Sequence, residues 1–159
     1  MDVYDEEILN VFRLFNKHAV EHILVGGFAV NFHGHSRYTA DLDIWINDTV
    51  SNRKRLSDAL TELYGYEIPG IETMQFIPGW SSISLPSGFP LDIIAEMKGL
   101  EELSFEECLT LAVKVEIEGA VIRFLNLKHL LSNKVSVARP KDLLDIEELK
   151  RLNEDDAIH

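Results

Sequence analysis

A pair of glycines followed by two closely spaced aspartates is the feature that most constrains this chain. Gly26 and Gly27 end one apolar run, and thirteen residues separate them from Asp41 and Asp43, at the start of a second apolar run. Side chains at positions i and i+2 of a β-strand project from the same face. We therefore predict that the two carboxylates lie side by side on a strand whose alternate residues pack into a core.

Two adjacent carboxylates of this kind indicate a metal site. They repel each other unless a cation lies between them, and oxygen-only donors suit Mg²⁺, which takes one or two carboxylates together with substrate phosphates. Gly26 and Gly27 allow a ligand to approach the backbone, and a helix predicted from Gly27 to about Gly34 would present free N–H groups to a phosphate. Arg37 and Thr39, in the loop before the aspartates, are further candidates for phosphate contact.

These residues resemble the signature of the nucleotidyltransferases of the DNA polymerase β superfamily. That signature is a hydrophobic residue, Gly, then Gly or Ser, a gap of similar length, and two acidic residues alternating with hydrophobic ones. The superfamily has a third carboxylate on a later strand, and Asp92, between Leu91 and Ile93, matches it. The resemblance implies that all three aspartates bind Mg²⁺ or Mn²⁺ and that the glycines bind NTP phosphates. It also implies that Asp92 completes the site or activates the acceptor.

The chain is also similar to a small bacterial subgroup, the minimal nucleotidyltransferases and the abortive-infection nucleotidyltransferase toxins. This similarity covers about residues 20–150 and includes a late motif that contains Arg139, Lys141, Asp142 and Asp145. It implies that Lys134 contacts the triphosphate and that Arg139 or Lys141 assists.

A structural interpretation of the same late motif remains open. On a helical wheel Asp142 and Asp145 share an arc with apolar residues, and a buried charge is costly unless it is paired. Asp145 would then form an ion pair with Lys134 or Arg139, with no direct part in phosphate binding.

Composition predicts one domain over residues 1–159, with C-terminal helices over 126–153 packing on it. No apolar run approaches the roughly 18 residues that a membrane span needs, and the acidic N-terminal residues do not resemble a signal peptide. We therefore expect a cytoplasmic protein without a membrane partner. The net charge of −12 disfavours a large nucleic acid bound by this chain alone, and it fits better a small or cationic acceptor or a basic protein partner.

The order of strands and helices predicts an α/β or α+β fold with its sheet covered mainly on one face. The resemblance implies the nucleotidyltransferase fold, a mixed β-sheet flanked by helices with the three aspartates on adjacent strands. Helices are predicted over about residues 5–18, 27–34, 50–64, 127–137 and 140–152, with another beginning at Ser104. Strands are predicted over about residues 23–25, 41–46, 74–77, 82–85, 91–95, 113–117 and 121–124.

Other conspicuous residues are assigned to structure. His33 and His35 are interpreted as a helix-end and a loop histidine, although their spacing also allows a metal pair. Trp45 and Cys108 are predicted to be buried. Trp80 either packs against the fold or stacks on a base or acceptor, and packing is the preferred interpretation.

The hypothesis that follows is metal-dependent transfer of a nucleoside monophosphate from an NTP such as ATP to an acceptor hydroxyl, with release of pyrophosphate. The acceptor could be a small molecule, an RNA end such as that of tRNA, or a protein side chain. In the last two cases the chain could belong to a toxin–antitoxin or phage-defence pair, and a partner chain or a second copy could complete the site. The alternative is a non-catalytic nucleotide- or partner-binding module that retains the fold, against which the three intact aspartates argue.

Overall fold

A six-stranded mixed sheet forms the centre of the molecule, in a computed structural model that describes residues 1–73 and 80–158. Its strand order is β3-β4-β2-β1-β6-β5. The strands are β1 His22–Val25, β2 Leu42–Ile46, β3 Trp80–Ser84, β4 Pro90–Ile94, β5 Val113–Ile117 and β6 Ala120–Phe124. The helices are α1 Glu6–Lys17, α2 Gly26–Phe32, α3 Val50–Tyr64, α4 Phe105–Thr110, α5 Leu127–Val137 and α6 Pro140–Ile158.

The two central strands place the sequence motifs next to each other. Strands β1 and β2 are antiparallel, while β2 pairs in parallel with β4 and β1 pairs in parallel with β6. The edge strands β3 and β5 are antiparallel to their neighbours. This mixed arrangement confirms the predicted α+β fold, and it brings the end of β1 beside the start of β2 and β4.

Both faces of the sheet are covered, so the expectation of one covered face is wrong. Alternate residues such as Leu24 and Ile44 belong to one buried cluster, with residues of α1 and α3. The intervening residues, such as Ile23 and Trp45, belong to a second cluster with residues of α4, α5 and α6. Consecutive strand residues are therefore buried on opposite faces, which explains why the central strands have nearly continuous apolar sequences.

Local signals explain where several elements begin and end. The Thr49 side chain accepts from the backbone N–H of Asn52 at the start of α3, and Gly65 ends this helix in the left-handed conformation. Glu118 and Gly119 both have positive φ, of 46° and 81°, as a two-residue hairpin turn requires. The predicted hairpin and the helices over 50–64 and 127–137 are thus confirmed.

Two predicted boundaries differ from the structure. Helix α6 continues to Ile158, beyond the predicted end at Leu152, since no glycine or proline interrupts the chain there. Strand β3 begins at Trp80, earlier than predicted. The strand predicted over 74–77 lies outside the described residues, as does the predicted role of the Trp80 side chain. None of the described helices is both long and apolar enough to cross a bilayer.

Candidate active site

Three aspartates converge at one end of the central strands. Asp43 of β2 is the register partner of Asp92 of β4, and Asp41 precedes Asp43 by two residues. One carboxylate oxygen from each of the three lies within 4.8 Å of the others. All three side chains are half-buried. The two sequence motifs, 49 residues apart at Asp43 and Asp92, therefore form a single acidic cluster.

The electrostatics of this cluster are dominated by crowding of negative charge. Burial raises the pKa of Asp43 to about 8, and the neighbouring carboxylates of Asp41 and Asp92 contribute further through their charge and through hydrogen bonds. Either a proton or a cation relieves such repulsion. The cluster therefore has the donor set of an oxygen-ligated divalent cation site, with ligands that a cation would keep ionised.

Glycine is required at both positions of the predicted phosphate-binding turn. Val25 is the register partner of Asp43, so the chain turns beside the acidic cluster. Gly26 has φ of +65°, and a Cβ there would lie 2.0 Å from Asp43 Oδ2. A Cβ at Gly27 would lie 2.4 Å from Thr39 Oγ1. The turn thus brings bare backbone directly against the aspartates, at the first residues of α2.

Lys134 takes part in a buried ion-pair network. Its side chain is 5% exposed, and its Nζ lies 3.0 Å from Asp142 Oδ1 and 2.9 Å from Asp145 Oδ2. Burial opposes ionisation of both aspartates, but hydrogen bonds from Arg139 and Lys134 to Asp142, and from Arg37 and Lys134 to Asp145, lower the pKa of each carboxyl. The predicted ion pair of Lys134 with Asp145 is therefore confirmed. Lys134 nevertheless also lines the cavity described below.

Arg37 and Thr39 are both engaged by neighbouring groups. Arg37 donates from Nε and Nη2 to the two oxygens of Asp145, at 2.7 and 2.8 Å, and from Nη1 to the Tyr38 carbonyl. Its Nη1 would be 3.4 Å from a Cβ at Gly27, which places the guanidinium beside the glycine turn. Thr39 is buried, and its hydroxyl donates to the Asp41 carbonyl at 3.1 Å.

A cavity of about 360 Å³ joins the predicted metal and phosphate residues. Its lining includes the three aspartates and Gly26 together with three cationic residues, Lys134, Arg139 and Lys141. Arg139 donates to Asp142 at 2.7 Å, and this hydrogen bond is the main cause of its raised pKa, with smaller contributions from Asp43 and Asp41. Its side chain is 56% exposed, so it can reorient toward a bound anion.

Seven lining residues were not predicted as site residues: Val25, Ile94, Glu96, Met97, Lys98, Asn133 and Val137. Glu96, Met97 and Lys98 follow β4, four to six residues after Asp92, and Asn133 precedes Lys134 in α5. Proximity in sequence to predicted site residues was the available signal, although it does not distinguish them from other neighbours.

His33, His35, Trp45 and Cys108 are not among the residues that line this cavity. The His33 Nε2 lies 2.8 Å from the Leu125 carbonyl, and burial lowers the pKa of this histidine. His35 Nε2 is 3.6 Å from Asp145 Oδ1, so the two histidines have different partners. Trp45 is buried and donates to the Ala95 carbonyl, and Cys108 is buried.

No protein-family model matches the chain, and no curated protein matches it. Solved structures do. TM1012 of Thermotoga maritima, provisionally assigned as a nucleotidyltransferase, superposes with a TM-score of 0.59 at 17% identity, over 91% of this chain and 89% of that one. An antigenic nucleotidyltransferase-like protein from Paracoccidioides brasiliensis gives 0.52 at 14% identity, over 91% and 74%. The antibiotic-resistance factor ANT(2'')-Ia gives 0.54 at 14% identity, over 91% and 81%.

These likenesses show that the chain has the nucleotidyltransferase fold, as the sequence resemblance implied. They are similarities of fold at low sequence identity, and they extend over nine-tenths of the chain.

Proposed function

We propose that this protein is a metal-dependent nucleotidyltransferase that transfers a nucleoside monophosphate from an NTP to an acceptor hydroxyl. The observation that supports this most strongly is the convergence of Asp41, Asp43 and Asp92 beside the Gly26 turn, in a cavity that cationic residues also line. A decayed or purely structural site would not need three mutually repelling carboxylates at the same end of adjacent strands.

The three aspartates fit a divalent cation. One oxygen from each aspartate lies within 4.8 Å of the others, whereas oxygens bound to one Mg²⁺ lie at most about 4.2 Å apart, which is twice the bond length of about 2.1 Å. A small rotation of the side chains would therefore bring the three carboxylates onto one cation. Asp41, Asp43 and Asp92 would hold the metal, which would supply positive charge to neutralise the charge that develops on the phosphates during transfer. We propose that this ion is Mg²⁺ or Mn²⁺.

The chain's own residues would position the NTP. The Gly26 and Gly27 backbone, at the start of α2, faces the space next to Asp43, where a phosphate would meet free N–H groups. Arg139 and Lys141 line the same cavity and are exposed, so they can contact the triphosphate directly. Lys134 and Arg37, held by buried aspartates, would add positive charge without moving.

Asp92 is proposed to act as the general base. It would take the proton of the acceptor hydroxyl while that oxygen attacks the α-phosphorus, and the bond to pyrophosphate breaks. Its place on β4, next to Asp43 in register, puts this carboxylate on the side of the cluster that faces away from the glycine turn.

The acceptor and the biological setting are also proposals. The net charge of −12 favours a small or cationic acceptor over a long nucleic acid bound by this chain alone. An RNA end or a protein side chain as acceptor would require that a partner chain, such as the other member of a toxin–antitoxin pair, or a second copy contributes to the site. A cytoplasmic location would supply NTP and Mg²⁺.

The test is transfer of label from α-³²P-labelled ATP, CTP, GTP or UTP, with Mg²⁺, Mn²⁺ or EDTA. The acceptors offered are total tRNA, mixed cell proteins and small hydroxylated amines. We expect metal-dependent labelling of one acceptor class, lost in Asp43→Asn and retained in Asp58→Asn, which changes an exposed aspartate on α3. Metal-dependent NTP binding without label transfer to any acceptor would instead support the non-catalytic module.

A further inference from the structure

Strand β5 forms one edge of the sheet, and its outer side is open. In the strand order β3-β4-β2-β1-β6-β5 it has a single neighbour, β6. Of its five residues, Val113, Lys114 and Glu116 are exposed, and Val115 and Ile117 are half-buried. An edge strand presents a row of backbone N–H and C=O groups with which another strand can pair.

The hydrogen bonds of β6 identify which backbone groups of β5 point outward. Val121 is the register partner of Glu116, but its N–H and C=O both bond to the Asn16 side chain, at 2.8 and 3.0 Å. Val121 and Glu116 therefore form a pair without backbone hydrogen bonds, and such pairs alternate with bonded pairs in an antiparallel ladder. The N–H and C=O of Glu116, and by alternation those of Lys114, consequently point away from β6. Within residues 1–73 and 80–158 no other group bonds to them.

The side chains at the same two positions carry opposite charges. On β6, Lys114 lies across from Arg123, a like charge, and Glu116 lies across from Val121. In the part of the chain that the structure describes, neither the Lys114 ammonium nor the Glu116 carboxylate has a hydrogen bond or an ion pair. Opposite charges across a strand pair stabilise it and like charges destabilise it, so β6 leaves both side chains without a favourable neighbour.

The edge lacks the features that usually prevent strand pairing. β5 contains no proline or glycine, and its register with β6 runs without a bulge from Val113 to Ile117. Its apolar residues share the other face, where Val115 and Ile117 pack against the buried cluster of α1 and α3 and Val113 is 37% exposed. A lysine on an edge strand normally discourages pairing, but a glutamate two residues later makes this edge complementary to itself.

We propose that this edge binds a second copy of the chain, with the two β5 strands antiparallel about a two-fold axis at Val115. In this register Lys114 of each copy faces Glu116 of the other. Each such pair would exchange both of its outward backbone hydrogen bonds, and the paired side chains would attract each other on one face. A shift of two residues in either direction would place Lys114 or Glu116 opposite itself, so the charge pattern favours this register.

The pairing would join the two sheets and leave the proposed active site open. None of the β5 residues lines the cavity at the acidic cluster, and β6 and β1 lie between β5 and the strand that carries Asp43. The proposal therefore does not depend on nucleotidyl transfer. One strand from each copy makes a small interface, so we expect a reversible dimer with a Kd on the order of 10–100 µM.

The experiment measures the mass of the protein by sedimentation equilibrium, from about tenfold below to about tenfold above this Kd. The mass should rise from that of one chain to that of two. Hydrogen exchange of the backbone amides, followed by NMR at the two ends of this range, locates the contact. The amides of Lys114 and Glu116 should exchange more slowly in the dimer, because their N–H groups become hydrogen-bonded.

Charge reversal tests the register. Lys114→Glu and Glu116→Lys each replace the opposite pairs by like pairs, so each should weaken self-association about hundredfold. Mixed in equal amounts, the two variants should form a heterodimer, because every pair at the interface is then opposite again. The control Lys128→Glu, at an exposed position of α5, should dimerise like wild type.

Several outcomes would overturn the proposal. A wild-type protein that stays monomeric over the whole range would leave the edge to a different chain. A dimer whose Lys114 and Glu116 amides exchange as fast as in the monomer would use another surface. Charge-reversed variants that dimerise like wild type, or that do not associate when mixed, would contradict the register. Circular dichroism reports whether each variant folds, and if one does not, the other provides the comparison with wild type.

Discussion

Replacing Asp43 by asparagine should make the metal-free protein more stable, because the Asp43 carboxylate lowers the free energy of unfolding at neutral pH. An ordinary aspartate has a pKa of 3.8, whereas burial and the charges of Asp41 and Asp92 raise that of Asp43 to about 8. The unfolded chain therefore releases this proton from about pH 4 upward while the folded chain holds it. Stability falls as pH rises through this window, and it becomes constant above the folded pKa.

The magnitude follows from the same values. Each pH unit in the window corresponds to about 1.4 kcal/mol, so the upper bound at pH 7.5 is about 5 kcal/mol. Relaxation of the three carboxylates and partial solvent access reduce this, and we expect asparagine to stabilise by roughly 2 kcal/mol. For a chain of this length that is a rise in Tm of about 4–8 °C.

The assay is thermal unfolding of wild type, Asp43→Asn and the exposed-site control Asp58→Asn in EDTA between pH 4 and 8. Because asparagine mimics the protonated carboxyl, the advantage of Asp43→Asn should be near zero at pH 4 and grow toward pH 8. Adding Mg²⁺ should stabilise wild type and the control but not Asp43→Asn. The reasoning is refuted if Asp43→Asn is the less stable protein throughout this range in EDTA.

Three further predictions concern the turn and the ion pairs. Gly26→Ala should abolish Mg²⁺-dependent NTP binding, measured by calorimetry, because the new Cβ would overlap Asp43. Gly65 has a similar positive φ but open space around it. The control Gly65→Ala should therefore retain binding and lose only about 1 kcal/mol of stability. Lys134→Met should lower the free energy of unfolding, measured in urea, by about 3 kcal/mol, because it removes a cation that pairs with two buried carboxylates. The control Lys128→Met, at an exposed position, should change this free energy by less than about 0.5 kcal/mol. The pKa of Asp145 is lowered in the folded state, so its ion pairs stabilise the fold above the unfolded pKa of about 3.9, and this stabilisation is lost as pH falls through the folded pKa. The stability of Asp145→Asn should therefore depend less steeply on pH below about 4 than that of wild type in acid unfolding. An equally steep profile would contradict the assignment of these ion pairs.

The acidic cluster could be predicted from sequence because the signals for its aspartates lie in short stretches of adjacent residues. Asp41 and Asp43 share a strand face by simple alternation, and Asp92 lies in a strand where aspartate is otherwise disfavoured. The hairpin at Glu118 and Gly119 was equally local. In each case the physical cause, strand pleat or turn geometry, acts over a few adjacent residues.

The ion-pair network and the contact between Asn16 and β6 could not be predicted in the same way. Arg37 and Asp145 are 108 residues apart in sequence, and no periodicity links them. Asn16 is a polar residue on an amphipathic helix. Its sequence position does not show that its side chain exchanges two hydrogen bonds with the Val121 backbone of β6. The second covered face was missed because strand residues buried on both faces of a sheet give a continuous apolar run. Such a run does not show how many faces of the sheet are covered by helices.

The contact between Arg37 and Asp145 also determines when during synthesis the site can form. The loop before the acidic cluster is held by a residue of α6, so it cannot reach its final position until α6 has left the ribosome and packed. Such a long loop closes late, since distant contacts form only after the intervening chain has been ordered. A nascent chain that already contains all three aspartates therefore still lacks the contact between Arg37 and Asp145, and the cavity beside the acidic cluster becomes complete only after α6 has been synthesised and has packed.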